Sequence, residues 1–284
     1  MATQRTFELP GLTLAAEVSG RAGDLPVLAL HGWLDNAGSF DLLAPRLGGC
    51  ELVAIDLAGH GLSSSRSADS GYNLTQDVGD VLEVADALGW KKFNLLGHSR
   101  GGAIAMLFAG TFPERVAKLA LLDGGMPIVG EAPDAPANLA DALLDRRKLL
   151  GKSGRVFTDR ATAVRERAEG FSKVTIAASE ILARRSLRAV QGGFQWHADQ
   201  RLKGASELRL SEAHALAFVR RVTAPVLLLL ADGGPFADRP IYRTGIEQFQ
   251  TIQVETLHGG HHLHVEDGAA DVAKRLRRFF ELPA

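Results

Sequence analysis

The segment from Leu95 to Gly102 carries the residues whose types and spacing most clearly suggest chemistry. Its string GHSRG (97–101) has the pattern Gly-x-Ser-x-Gly, between a strand-like apolar run and a run with helical spacing. A serine on a tight strand-to-helix turn has a strained backbone, and glycines two residues before and after it remove side chains that would collide. Because the string also occurs by chance in loops, its context is what makes Ser99 a candidate nucleophile.

A serine hydroxyl is not ionised near neutral pH, so Ser99 needs a base within hydrogen-bond reach. The late segment LHGGHHLHVED (257–267) offers His258, His261, His262 and His264. We select His261, because it follows two glycines and the last strand-like run, where a loop must turn back over the carboxyl ends of the strands. The other three histidines are expected to be loop or helix residues.

Four histidines in seven positions could instead bind a metal. Their spacing, however, matches no helical His-x-x-x-His face and no acidic partner pattern of a zinc protease. We therefore predict no metal and no cofactor.

The elements that must position these residues follow from short apolar runs that recur along the chain. Such runs are typical of strands buried on both faces of a mostly parallel sheet. They are Leu12–Val18, Val27–Leu30, Leu52–Ile55, Phe93–Leu96, Leu119–Leu122, Val226–Leu230 and Ile252–Val254. Helical spacing lies between several of them, at 74–88 after Asn73 as a possible N-cap and at 100–111 before Pro113. Alternating strands and helices predict an α/β fold.

The alternation stops after Leu122 and resumes at Val226, which predicts an inserted segment. We expect a helical cap over the sheet, with core residues 1–123 and 223–284 and a cap at 124–222. The helical spacing within it covers Asn138–Leu150, Thr158–Glu169, Ser172–Val190 and Ser211–Arg221. Its mixed-sign charges are also what an ordinary solvated helix face shows.

Composition excludes several classes of function. The 284 residues suit one large domain or a domain with an insertion, and 32 Lys and Arg against 33 Asp and Glu leave a net charge of −1. Such a chain has no field to hold nucleic acid or an anionic membrane. The single cysteine, Cys50, excludes a disulfide framework and favours a reducing compartment.

Nothing in the sequence predicts a membrane span or a secretory signal. The longest purely apolar run, 224–231, is far below the ~18 residues that a membrane helix needs. The first ten residues, MATQRTFELP, lack a basic start followed by an apolar stretch and a cleavage site. A cytoplasmic protein is expected, as a monomer or homodimer acting on a small molecule.

The chain resembles the α/β-hydrolase family, specifically the capped serine hydrolases of the serine hydrolase-like and esterase/lipase-like type. The resemblance covers nearly the whole length. It includes the serine turn, HGWLDN (31–36), DLAGHGLS (56–63), and Gly260-His261 followed by His264 and Glu266. The string FQWHAD (194–199) is similar to the cap of the serine hydrolase-like subgroup.

The resemblance implies an α/β-hydrolase fold and an oxyanion hole made by the backbone N–H groups of Trp33 and Arg100. Fixed donors there would stabilise the charge that forms on the substrate oxygen. Trp33 could equally be a core aromatic residue. His31 and the 56–63 loop are interpreted as structural support, because residues rich in Gly, Asp and Ser form turns.

The resemblance also implies the chain order serine, acid, histidine, and here the sequence departs from the commonest pattern. In most relatives a Gly follows the strand at 225–230 and an Asp stands three positions later, but here those positions are Ala231 and Gly234. Asp232 and Asp238 lie nearby. The alternative is Asp123, one strand earlier, where the haloalkane dehalogenases carry their acid; we prefer Asp123, with a simple strand-capping role still open.

The expected function is a carboxylic ester hydrolase that works through an acyl-enzyme on Ser99, with His261 as general base. Thioesterase, lactonase and carbon–carbon bond hydrolase activities use the same triad and remain open. A ligand sensor that retains the pocket with little turnover is the alternative from another class.

Overall fold

The computed structural model of the chain describes residues 2–236 and 239–283. Its strands are β1 (Thr3–Leu9), β2 (Leu12–Ser19), β3 (Leu25–Leu30), β4 (Cys50–Ile55), β5 (Phe93–His98), β6 (Val116–Leu122), β7 (Val156–Phe157), β8 (Leu187–Val190), β9 (Gly193–Trp196), β10 (Val226–Ala231) and β11 (Ile252–Leu257). Its α-helices are α1 (Leu74–Ala87), α2 (Arg100–Thr111), α3 (Ala135–Leu149), α4 (Arg160–Ala168), α5 (Ile176–Ser186), α6 (Glu212–Arg221), α7 (Pro240–Ile246) and α8 (Ala269–Phe280).

The central sheet has the strand order β1-β2-β4-β3-β5-β6-β10-β11. The pairs from β4 to β11 are parallel, whereas β1 with β2 and β2 with β4 are antiparallel. The predicted α/β class with a mostly parallel sheet is confirmed. Because parallel strands point the same way, the residues after β3, β5, β6, β10 and β11 all emerge at one edge.

Each central strand is buried on both faces, which is why its sequence is apolar throughout. In β3, Leu28 and Leu30 belong to the same core cluster as residues of α1 and α2, while Val27 and Ala29 belong to the cluster that includes residues of α8. The same alternation divides β10 between the two core clusters. A hydrophobic layer therefore packs on each face of the sheet, and the two layers fix the positions of the strand ends.

All seven predicted strand runs lie within strands, but β1 was missed. Its side chains are mostly exposed, so it has no apolar run. It is the outermost strand of the sheet and pairs with β2, across a turn in which Gly11 has φ 72°. Glycine adopts this left-handed backbone conformation at low cost, which allows the tight turn between β1 and β2.

Between β6 and β10 the chain forms helices α3 to α6 and a small antiparallel sheet in the order β7-β9-β8. The predicted helix at 172–190 is wrong at both ends, because α5 covers only 176–186 and residues 187–190 pair with β9. Helix α6 packs on α2, and Val219 belongs to the same core cluster as α2. The division into a core and a cap at 124–222 stays a prediction. Among the described residues, no helix combines the length and apolar character needed to cross a membrane.

Candidate active site

Ser99 lies at the junction of β5 and α2, with φ 51° and ψ −116°. Such a backbone conformation is costly for a residue with a side chain and persists only where the surroundings enforce it. A Cβ on Gly97 would lie 2.5 Å from the carbonyl oxygen of Gly101, and one on Gly101 would lie 2.1 Å from that of Leu30. Both positions therefore require glycine, and the turn at Ser99 is as strained as the sequence predicts.

A continuous hydrogen-bond chain joins Ser99, His261 and Asp123. His261 Nε2 lies 2.9 Å from Ser99 Oγ, and His261 Nδ1 lies 2.6 Å from Asp123 Oδ2. A carboxylate only accepts hydrogen bonds, so the proton of neutral His261 is on Nδ1 and the lone pair of Nε2 faces the serine hydroxyl. In this arrangement the hydroxyl proton of Ser99 can pass directly to His261.

Asp123 is fully buried at the end of β6, with φ 34°. Its second carboxylate oxygen accepts the N–H of Ala231 at 3.1 Å. A Cβ on Gly124 would lie 2.5 Å from Ser99 N, and one on Gly234 would lie 2.3 Å from Asp123 Oδ2. Position 234 is where the family resemblance would place the acid, and its missing side chain leaves the space that the Asp123 carboxylate occupies.

The other candidate acids and histidines lie elsewhere. Asp232 pairs with His258, whose Nδ1 lies 2.9 Å from Asp232 Oδ2 and whose side chain is 98% exposed. His262 and His264 are buried. Asp238 lies outside the described residues. Of the four late histidines, His261 is the one that the structure brings to Ser99.

Trp33 and Arg100 stand on neighbouring segments at the same sheet edge. Arg100 begins α2, and the first N–H groups of a helix have no acceptor within the helix. Trp33 follows β3, which pairs with β5. Their side chains point to other partners: the indole N–H of Trp33 donates to Leu202 O at 2.9 Å, and Arg100 pairs with Asp77 at 2.5 Å. The oxyanion role of their backbone N–H groups stays a prediction.

Two buried histidines brace the loop that contains Trp33. His31 Nε2 accepts the N–H of Leu57 at 2.9 Å, and His60 Nε2 accepts the N–H of Leu34 at 3.2 Å. Leu34 has φ 59°, a conformation that needs such support. Burial lowers the pKa of His31 to about 3 and that of His60 to about 4. Both rings are therefore neutral acceptors at pH 7, which agrees with the supporting role expected from the sequence.

Sequence reasoning missed two arginines of the inserted segment. Arg167 pairs with buried Asp35 at 2.6 Å, and Arg185 pairs with buried Asp56 at 2.7 Å. Both guanidinium groups are largely buried rather than part of a solvated face. A buried carboxylate needs a partner, but one sequence does not say which of many arginines supplies it.

Within the described residues, Asp35, His98 and His262 form a group whose ligand atoms all lie within 4.8 Å of one another. Asp35 already accepts hydrogen bonds from Arg167 and His262. The positive charge of the Arg167 guanidinium balances the negative charge of the carboxylate.

Comparisons with known proteins identify the family of the chain. The family model described as alpha/beta hydrolase fold matches residues 26–268. The chain is 33% identical to "Serine hydrolase-like protein" of Danio rerio, over 95% of this chain and 86% of that protein. It is also 33% identical to "Serine hydrolase-like protein 2" of Homo sapiens, over 95% of this chain and 93% of that protein.

A solved structure is similar over nearly the whole chain. The hypothetical protein PA1622 from Pseudomonas aeruginosa PAO1 has 45% sequence identity and a TM-score of 0.91, over 98% of this chain and 97% of that one.

The glycine at 101 gives a test of the strained turn. Gly101→Ala drives a methyl group into the backbone of β3, so we expect it to lower the free energy of unfolding by about 2 kcal/mol or more. Gly79→Ala is the matched control, since Gly79 lies in α1 with nothing within 4 Å of its Cβ position. That substitution should raise stability by about 0.5–1 kcal/mol. Urea unfolding of both variants measures the difference, and equal stabilities would contradict the close packing.

The buried histidines predict an acid-sensitive fold. Burial lowers the pKa of His31 and His264 to about 3 and that of His60 to about 4, and it lowers the pKa of His98 well below its usual value. These four rings bind protons near pH 6.5 in the unfolded chain but stay neutral at that pH in the folded chain. The free energy of unfolding should therefore fall as pH drops from 6.5, by up to about 1.4 kcal/mol per pH unit for each histidine.

Urea unfolding between pH 7.5 and 5.5 measures this proton uptake as the slope of stability against pH. We expect His264→Gln to reduce the uptake by about one proton. His214→Gln, at an exposed position, should leave it unchanged. A slope in His264→Gln that matches the parent's would show that the His264 ring is not buried in neutral form.

Proposed function

The chain belongs to the α/β hydrolase family, as its sequence resemblance predicted, and we propose that this hydrolase-type enzyme cleaves a carboxylic ester or a related acyl compound with Ser99 as nucleophile. The observation that carries the proposal is the hydrogen-bond chain from Ser99 through His261 to Asp123. A serine in this chain has the base that it needs to attack a carbonyl group.

In the proposed first half-reaction, His261 Nε2 takes the hydroxyl proton while Ser99 Oγ bonds to the acyl carbon. The carbonyl oxygen becomes negative, and the N–H groups of Trp33 and Arg100 are proposed to stabilise it. His261 then gives the proton to the leaving alcohol, and the acyl group stays on Ser99. Throughout, Asp123 remains ionised, orients the ring and stabilises the imidazolium.

In the second half-reaction, water replaces the alcohol. His261 takes a proton from the water as its oxygen attacks the acyl-serine, and then returns that proton to Ser99 Oγ as the carboxylic acid leaves. Because position 99 is serine rather than aspartate, the alkyl-enzyme chemistry of the haloalkane dehalogenases is disfavoured. A small acyl substrate is proposed; the cytoplasmic location and the monomeric or homodimeric state stay predictions.

The nucleophile is tested with a fluorophosphonate probe and a panel of short acyl esters and thioesters. Ser99→Ala should lose probe labelling, and its hydrolysis should fall by at least about 10³-fold. The thermal midpoint should change little, since a single oxygen is removed from a partly exposed site. Probe labelling that survives in Ser99→Ala would contradict the assignment, and His261→Ala should be nearly as inactive.

The chain supplies its own control for the acid, because it contains two Asp–His pairs. Asp123→Asn can donate to His261 Nδ1 and so move the ring proton to Nε2, where it blocks proton transfer from Ser99. We expect a loss of about 10⁴-fold in turnover with little change in substrate binding. Asp232→Asn makes the same change in the pair with His258 and should stay within about tenfold of the parent. The reverse ranking in steady-state kinetics would reject Asp123.

A further inference from the structure

A buried carboxylate that the proposed mechanism does not use lies close behind the site. Asp35, in the loop after β3, is 2% exposed. Its Oδ1 accepts a hydrogen bond from Arg167 Nη2 at 2.6 Å, and its Oδ2 lies 3.2 Å from His262 Nε2. Arg167 belongs to α4 of the inserted segment, and His262 directly follows His261. One carboxylate therefore contacts both the inserted segment and the loop that carries the proposed base.

His98 connects the same cluster to the serine turn. Its Nε2 lies 2.9 Å from the carbonyl oxygen of His261. That oxygen only accepts, so Nε2 carries the proton and the lone pair of His98 Nδ1 faces Asp35 Oδ2 at 3.7 Å. The proton on His262 Nε2 points toward Asp35 Oδ2, since that carboxylate oxygen can only accept. His98, which directly precedes Ser99, thus donates a hydrogen bond to the backbone of His261.

The loop proposed to stabilise the oxyanion rests on the same cluster. A Cβ on Gly32 would lie 2.8 Å from His98 Nδ1 and 2.9 Å from Asp35 Oδ2. The N–H of Asp35 donates to the carbonyl oxygen of Gly32 at 3.2 Å. Any shift of Asp35 would therefore move the backbone that leads into Trp33.

The charges keep this cluster ordered. Burial opposes ionisation of Asp35, but His262 and Arg167 hold the pKa of its carboxyl well below the usual value. The carboxylate is ionised at neutral pH. Removing the charge of either Asp35 or Arg167 would leave the other charge buried without a partner. The cluster is therefore expected to shift as a unit when one partner is lost.

We propose that Asp35 is a positioning residue that couples α4, through Arg167, to the alignment of His261 and of the loop that contains Trp33. The proposal rests on the proposed function, because it assigns those two segments to the reaction. The contact between Arg167 of α4 and Asp35 would align His261 and the backbone N–H groups proposed to bind the oxyanion together. Loss of that contact would lower turnover without altering the residues that react.

Three single variants and one double variant test the coupling through the rate of fluorophosphonate labelling and the kinetics on one ester. Asp35→Asn and Arg167→Met should each lower kcat and the labelling rate by about 10–100-fold, because small misplacement of reacting groups is costly. KM should stay within about threefold. Arg167→Lys keeps the positive charge, so its kcat and labelling rate should fall less than those of Arg167→Met. The double variant should resemble Asp35→Asn alone, since Arg167 acts through that carboxylate.

Arg160→Met is the matched control in the same helix. Arg160 pairs with Glu180 at 2.6 Å, and the two side chains are 38% and 40% exposed. We expect its kcat and labelling rate to stay within about twofold of the parent, as for an exposed ion pair. An equal loss in Arg160→Met and Arg167→Met would overturn the specific coupling.

Hydrogen exchange separates failure of this inference from failure of the proposed function. In Arg167→Met, amides of residues 31–36 and 258–264 should exchange faster than in the parent, and Arg160→Met should leave them unchanged. If the parent labels at Ser99 but Arg167→Met matches its rate, the coupling is overturned and the proposed function stands. If the parent does not label, the proposed function fails, and unchanged exchange at both loops in Arg167→Met would overturn the coupling independently.

Discussion

The backbone of Ser99 is the constraint on which the other parts of the site depend. Its positive φ turns the chain from β5 into α2 within one residue, and the turn fits only because α2 approaches β3 at Gly101. Two hydrophobic layers hold the sheet and α2 in that contact. The strain is thus offset by packing over many residues rather than by any bond of the serine itself.

The same crowding selects the acid. The loop after β6 passes close to Ser99 at Gly124, and the carboxylate of Asp123 fills the space beside Gly234. A side chain at 234 would collide with that carboxylate, so the two strand ends cannot both carry the acid in this geometry. Asp232, one residue beyond β10, instead turns outward and pairs with an exposed histidine.

Buried ion pairs fasten the inserted segment to the sheet edge. Arg167 reaches Asp35 and Arg185 reaches Asp56, and both carboxylates also accept hydrogen bonds from other groups. Such pairs add little net stability, because removing charges from water is costly. Their effect is geometric, since each carboxylate is paired only while α4 and α5 hold Arg167 and Arg185 in place, and an unpaired buried charge would be costly.

The sequence by itself determined the strands of the sheet core, the turn at Ser99 and the choice of His261 as partner, because apolar runs, glycine spacing and chain order are local patterns. It missed β1, whose side chains are mostly exposed, and all three short strands of the inserted segment, β7, β8 and β9. At β8 the helical spacing continued into a segment that pairs with β9. The sequence left Asp123 and Asp232 both open. Only the tertiary structure brings Asp123 to His261 and pairs Arg167 with Asp35, because these contacts join residues more than a hundred positions apart. Their partners are chosen by the packing of strand ends and inserted helices, which no local pattern records.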